Sequence, residues 1–152
     1  MKKKKLNILI LEDSVDDAEL LLIELRKTGY DFSQKIVETE KDFIMSLDKN
    51  LDLIISDYKL PAFDGTKALE YRQKLLPEVP FIISSGTVGE DVAVDCMKAG
   101  ATDYVMKDKL SRLCPVVKRA LEEADEKKQK EAYEKDLRRQ ERFSSKLLQT
   151  AG

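Results

Sequence analysis

The sequence predicts a doubly wound α/β domain, in which five parallel strands form one sheet with helices on both faces. Short apolar segments recur along the first 106 residues, and helix-like segments separate them. Polar residues stand directly where the apolar segments end. Alternation of this kind implies right-handed crossovers and therefore parallel strands.

The first strand and helix give the strongest pattern. Leu6 to Leu11 is a nearly continuous apolar run, typical of a strand that is buried on both faces. The run stops at Glu12 to Ser14. Apolar residues then recur at helical spacing as far as Leu25, after an Asp or Ser N-cap, and Gly29 ends the segment.

The second and third units follow the same order. Residues 33–38 predict a weaker strand, and residues 51–56 predict a strongly apolar one with Asp57 directly after it. A turn from Pro61 to Gly65 then leads into a helix through Leu75. The helix between these two strands is expected to face the core with Phe43, Ile44 and Leu47.

The last units complete the sheet. We predict a strand over residues 79–84, a helix from about Glu90 to Ala99 that Gly100 ends, and a strand over residues 103–106. Five strands in this arrangement have the size of a flavodoxin-like domain, whose strand order is 2-1-3-4-5.

The chain is predicted to be one domain over residues 1–121 and a charged helical extension or linker over residues 122–152. Residues 122–142 carry 15 charges in 21 positions, and no Gly or Pro occurs from Val116 to Ala151. Acidic and basic residues also stand four apart, as in Glu131 and Lys135, which favours a helix. We expect this extended C-terminal helix to act as a connector or a weak coiled coil.

Composition excludes several functions. Lys and Arg total 27 against 29 Asp and Glu, so no basic field favours direct nucleic-acid binding. No apolar run is long enough for a signal sequence or a membrane span, and we expect a cytoplasmic protein. Histidine is absent, which excludes Ser-His-Asp and Cys-His catalysis. The two cysteines, Cys96 and Cys114, are expected to be inert thiols.

Candidate site residues stand at the ends of four predicted strands, where ligands bind in open parallel sheets. Three are acids, and like charges that converge require a cation or a bound proton. Oxygen ligands favour Mg²⁺, which commonly joins carboxylates to a phosphoryl oxygen. Lys107 can balance added negative charge, and a Ser hydroxyl can donate to a phosphoryl oxygen. The strand-end residues are Glu12, Asp13, Asp57, Ser85 and Lys107.

Each residue alone also has a structural interpretation. Glu12 and Asp13 could cap the first helix, and Asp57 could be an ordinary turn residue. If the strand boundary shifts by a residue or two, Ser84 or Thr87 could serve in place of Ser85. Because candidate residues stand at the ends of several strands, a shared function is favoured over these separate interpretations.

From Leu6 to about Leu121 the chain resembles the receiver domain of two-component response regulators. The segments that carry the resemblance are ILILEDS, LIISDYKLPAFDG, PFIISSG and GATDYVMKDKL. The resemblance implies that Asp57 accepts a phosphoryl group, that Ser85 and Tyr104 are switch residues, and that Lys107 is the active-site lysine. It also implies a Mg²⁺ site formed by Glu12 through water, Asp13, Asp57 and the backbone carbonyl of Lys59.

The implied partners are a sensor histidine kinase or a histidine phosphotransfer protein, and the implied role is a signalling switch rather than an enzyme. The C-terminal helix could join the domain to an output domain or mediate homodimerisation, and the chain could be a fragment. Two residues depart from the family pattern, since Glu12 stands where Asp is commoner and Asp108 where Pro is common. By the same resemblance, Lys59 stands at a position where side chains in this family influence access of hydrolytic water.

Two other functions stay open at this stage. A receiver-like scaffold that is not phosphorylated would keep the fold for binding alone. An aspartyl-phosphate phosphatase would also use an Asp at a strand end, but such enzymes have a second acid where this chain has Lys59.

Overall fold

The computed structural model describes residues 4–61, 63–86 and 89–150, which alternate between strands and helices in the predicted order. The elements are β1 (Leu6–Leu11), α1 (Val15–Arg26), β2 (Phe32–Val37), α2 (Glu40–Ser46), β3 (Leu53–Asp57), α3 (Gly65–Leu75), β4 (Phe81–Ser85), α4 (Glu90–Lys98), β5 (Asp103–Met106), a 3₁₀ helix (Lys107–Arg112) and α5 (Leu113–Thr150).

The five strands form one parallel sheet in the order β2-β1-β3-β4-β5, which confirms the flavodoxin-like fold class. Every residue of β3 and β4 is buried, as expected of central strands with helices on both faces. β2 lies at the edge and exposes residues 33–36, which explains its weak apolar pattern.

β1 and β5 have the predicted bounds, whereas β3 and β4 are shifted. Each of the two begins two residues later and ends one residue later than predicted. Leu51 and Val79 are buried in the preceding loops, so hydrophobicity alone does not mark where strand pairing begins. As a result, Asp57 and Ser85 are the last residues of their strands.

The two faces of the sheet pack into separate cores. Leu9 and Leu11 belong to the core that includes α2, α3 and α4, and Ile8 and Ile10 belong to the core that includes α1 and the start of α5. This alternation follows from the two-residue period of a strand. Cys96 is buried in the first core, and burial raises the pKa of its thiol, which fits a structural role.

α2 contributes mainly Phe43 to the core. Phe43 is fully buried, and Leu47, one turn later, packs partly against the same cluster. Ile44 is 37% exposed, so the prediction that it faces inward is wrong. In a helix, adjacent residues point about 100° apart, and a helix of seven residues buries a narrow stripe.

α5 begins at Leu113, before Pro115. Proline is tolerated in a first turn because the first four backbone N–H groups of a helix have no acceptor within it. Val116, Val117 and Ala120 are buried in the second core.

Backbone contacts divide the chain into two units after Leu121. From Glu122 to Thr150 every side chain except that of Ala124 is exposed. Among the described residues, no helix is both long and apolar enough to cross a membrane.

Arg72 on α3 connects two loops at the amino end of the sheet. Its side chain is buried and donates hydrogen bonds to the carbonyl oxygens of Val79 (2.7 Å) and Gly100 (3.0 Å). These residues precede β4 and β5. The guanidinium group therefore joins α3 to the entry of both strands.

Candidate functional site

The fold brings the predicted strand-end residues to one edge of the sheet. Glu12 directly follows β1, Asp57 ends β3, Ser85 ends β4, and Lys107 directly follows β5. Because all strands are parallel, their carboxyl ends lie on the same side, and residues far apart in sequence meet there.

Three carboxyl groups converge at this edge. Each of Glu12, Asp13 and Asp57 has an oxygen within 4.8 Å of an oxygen of the other two, a spacing that a shared metal ion could satisfy. Glu12 and Asp57 are buried, and Asp13 is exposed. Glu12 Oε1 also accepts a hydrogen bond of 3.1 Å from the Ser14 backbone N–H, which fixes the carboxyl group beside α1.

Lys107, the residue directly after β5, bridges two of these acids, Glu12 and Asp57. Its Nζ lies 2.8 Å from Glu12 Oε2 and 3.3 Å from Asp57 Oδ2. Its shortest contact, 2.7 Å, is to Asp17 Oδ2 on α1. We refer to Glu12, Asp13, Asp17, Asp57 and Lys107 as the acidic cluster.

Sequence reasoning missed Asp17. The residue lies in the first turn of α1, where an acid is usually explained by the positive end of the helix dipole. The Asp17 backbone N–H is capped by Ser14 Oγ at 3.2 Å, and its carboxylate points to Lys107 instead of the helix end. One feature of the sequence could have indicated its role: Asp17 stands one helical turn after Asp13, on a helix that begins near the end of β1.

Burial and charge shift two pKa values in the cluster. Burial raises the pKa of Glu12, and the nearby Asp57 charge adds to the rise, while hydrogen bonds from Lys107 and Ser14 oppose it. Burial alone would lower the pKa of Lys107, but its bonds to Asp17 and Glu12 outweigh burial and raise it. Lys107 is therefore positively charged at neutral pH. The ionised form of Glu12 is disfavoured, mainly by burial.

Ser85 ends β4, and Tyr104 lies on the neighbouring strand β5, two residues before Met106, the register partner of Ser85. The two side chains therefore lie on the same face of the sheet, and both residues are buried. Burial raises the pKa of the Tyr104 hydroxyl, and the neighbouring Ser85 side chain opposes part of the rise. Among the described residues, no group meets hydrogen-bond geometry with the Tyr104 hydroxyl or Ser84 Oγ, so the Ser85 hydroxyl lies near Tyr104 without a formed hydrogen bond.

The alternatives to Ser85 are placed differently. Ser84 pairs with Asp57 in the strand register and lies on the opposite face of β4 from Ser85. Thr87 lies outside the described residues. Ser85 is thus the hydroxyl residue beside Tyr104.

The loop after β3 passes very close to α3. A Cβ atom at Gly65 would stand 2.7 Å from the Asp57 carbonyl oxygen, so only glycine fits there. Gly65 N–H also donates to the Tyr58 carbonyl oxygen at 2.9 Å. Lys59 lies in this loop with an exposed side chain. The close approach fixes the backbone directly after Asp57.

The donor set fits a hard divalent cation. All three converging side chains offer carboxylate oxygens, and no nitrogen or sulfur ligand stands among them. Mg²⁺ prefers such oxygen ligands and retains water at its other positions. The residues present are therefore suited to Mg²⁺.

Residues 8–118 match the family described as the response regulator receiver domain. The chain therefore belongs to this family of two-component signalling domains, as the sequence resemblance predicted.

Two curated relatives show how far the similarity extends. The chain is 33% identical over 117 residues to the luminescence regulatory protein LuxO of Vibrio campbellii, which covers 76% of this chain and 25% of that protein. It is 30% identical over 108 residues to the transcriptional regulatory protein ZraR of Salmonella typhimurium, covering 70% of this chain and 24% of that protein. The chain thus spans about a quarter of these relatives.

Solved structures of response regulators are similar to this chain. A CheY-like response regulator receiver domain protein from Methanospirillum hungatei is 27% identical, with a TM-score of 0.68, and the match covers 82% of this chain and 99% of that one. NtrX from Brucella abortus is 27% identical with a TM-score of 0.73, covering 86% of this chain and 30% of that one.

Proposed function

We propose that this chain is a phosphoacceptor switch, in which Asp57 takes a phosphoryl group from a phosphohistidine of a sensor histidine kinase or a histidine phosphotransfer protein. The observation that carries the proposal is the convergence of Glu12, Asp13 and Asp57 within 4.8 Å, with the Lys107 ammonium group 3.3 Å from Asp57. Family membership supports the same function.

The transfer exchanges one bond to phosphorus for another. An Asp57 carboxylate oxygen attacks phosphorus and forms an acyl phosphate, while the P–N bond to the donor imidazole breaks. The imidazole nitrogen keeps the electron pair and takes up a proton from solvent. Lys107 lies where it can pair with the phosphoryl oxygens, whose charge adds to that of the acidic cluster.

Glu12, Asp13, Asp57 and the Lys59 carbonyl would hold Mg²⁺, with Glu12 acting through water. Bound Mg²⁺ supplies neutralisation of phosphoryl charge and orientation of the attacked group. The burial of Glu12 and Asp57 supports this assignment, because buried like charges need a counter-ion.

The new charge would be relayed through Ser85 and Tyr104. The Ser85 hydroxyl would donate to a phosphoryl oxygen, and Tyr104, whose hydroxyl lacks a described partner, would follow. The changed surface of α4 and β5 then alters partner contacts. We propose a signalling role in the cytoplasm rather than turnover of a substrate.

Output would lie outside residues 1–121. Relatives such as LuxO and ZraR are regulatory proteins about four times longer than the matched region. We propose that the helical extension either joins the receiver domain to an output domain or pairs with a second copy.

The proposal is tested by incubating the protein with Mg²⁺ and acetyl phosphate and measuring its intact mass. The wild-type protein should gain one phosphoryl group, and Asp57→Asn should gain none. Asp91→Asn, an exposed acid on α4, is the matched control and should label like wild type. Removal of Mg²⁺ with a chelator should also prevent labelling. An unlabelled wild-type protein would instead support a scaffold role.

A further inference from the structure

Lys107 is shared among three carboxylates that differ in exposure. The Glu12 side chain is 1% exposed, that of Asp57 11%, and that of Asp17 36%. Lys107 lies closest to Asp17, at 2.7 Å, and farthest from Asp57, at 3.3 Å. Its shortest contact is therefore to the carboxylate that water reaches most easily.

The Asp17 side chain is available to pair with Lys107 because Ser14, and not Asp17, caps α1. Ser14 Oγ accepts from the Asp17 backbone N–H, so this part of α1 is fixed without the Asp17 side chain. The carboxylate then reaches across to the end of β5.

A small cavity gives Lys107 room beside this contact. Its volume is about 60 Å³, and Asp17, Ser84, Lys107 and Leu110 are among the residues that line it. Ser84 Oγ, fully buried and without a described partner, stands at the cavity wall. The lysine side chain therefore borders open space beside its contact with Asp17.

We propose that Asp17 is a positioning residue that holds Lys107 before phosphorylation and releases it when Asp57 gains a phosphoryl group. This inference rests on the proposed phosphoacceptor function. Asp17 is the carboxylate suited to release, because water can replace the ammonium group at this partly exposed acid, whereas buried Glu12 has no such replacement.

The contact between Asp17 and Lys107 is then stronger in the unphosphorylated protein than in the transition state of phosphoryl transfer to Asp57. An interaction that is stronger in the ground state slows the step that gives it up. An ion pair that water can reach is worth up to about 1 kcal/mol, which corresponds to about a fivefold change in rate, so loss of the Asp17 carboxylate should accelerate labelling of Asp57 by up to about fivefold.

The test compares initial rates of labelling by acetyl phosphate with saturating Mg²⁺. Asp17→Asn should label faster than Asp16→Asn, by up to about fivefold. Asp16→Asn removes the same charge from the same helical turn at an exposed residue. Asp17→Glu, which restores a carboxylate, should label near the wild-type rate. Thermal unfolding of the two Asn variants checks that both remain folded.

Three results would overturn the inference. Asp17→Asn could label no faster than Asp16→Asn, which would leave the proposed function standing. Asp17→Glu could label as fast as Asp17→Asn, which would show that the carboxylate is not the cause. A wild-type protein that does not label at all would overturn both proposals, and this outcome is distinct from the other two.

Discussion

The acidic cluster contains four carboxylates and one ammonium group, whereas residues 122–142 carry 15 charges. In the cluster, charged groups from distant parts of the chain meet, and all of them except the exposed Asp13 are partly or fully buried. In the helical segment the charged side chains are exposed and stand near their sequence neighbours. A single charge therefore has a large effect in the first region and a small one in the second, because burial removes the screening by water.

The largest expected contrast between the two units concerns a matched pair of aromatic residues. Phe43 is fully buried, and Phe143 is 66% exposed. Phe43→Ala should lower the free energy of unfolding by about 3 to 5 kcal/mol, because it leaves a cavity in the core. Phe143→Ala should change it by less than about 0.5 kcal/mol in the monomer. Urea unfolding at low protein concentration measures both.

A large loss of stability in Phe143→Ala would break this contrast. Such a loss, if it grew with protein concentration, would show that the helical segment is buried against a second copy.

The second contrast concerns pH. The folded-state pKa of Glu12 is raised, so its ionisation weakens the folded state as pH rises through that value. In the absence of divalent cations, Glu12→Gln should therefore gain stability relative to wild type at pH 7, and the gain should shrink below 4.5, the ordinary Glu value. Urea unfolding at both pH values provides the measurement.

Glu123→Gln is the control in the exposed segment. It should show no comparable pH dependence. If Glu12→Gln were destabilising to the same degree at both pH values, its bond to Lys107 would outweigh the cost of burial.

The smallest effect is expected from single charges in the helical segment. Glu131→Gln removes the acid of an i to i+4 pair with Lys135 and should cost only about 0.3 kcal/mol at low salt. Thermal unfolding followed by circular dichroism measures the change. Because salt screens exposed charges, the effect should disappear at high salt, and persistence there would mean that the pair is not solvated.

Local patterns and topology differ in how well the sequence predicts them. The bounds of β1 and β5 were predicted because polar residues stand directly beside their apolar runs. β3 and β4 were shifted because buried residues of the preceding loops, such as Leu51, resemble strand residues. Ile44 was misplaced because a short helix has too few turns to define its buried face.

The residues of the candidate site also differ in how well the sequence predicts them. Glu12, Asp57 and Lys107 were predicted to meet because parallel strands end on one side of the sheet. Asp17 was missed because its direction depends on the rotation of α1 against β5, which strand order does not determine. A tertiary contact between Asp17 and a residue 90 positions later leaves no local pattern.

The hydrogen bonds of Arg72 have a consequence for movement within the receiver domain. A guanidinium group stays protonated in proteins, and its acceptors here are main-chain oxygens that cannot ionise. The entries of β4 and β5 are thus anchored by hydrogen bonds whose donor and acceptors keep the same charge as pH changes. Any displacement of these strands should behave as a pivot about α3, with its amplitude increasing from Val79 and Gly100 toward the opposite ends.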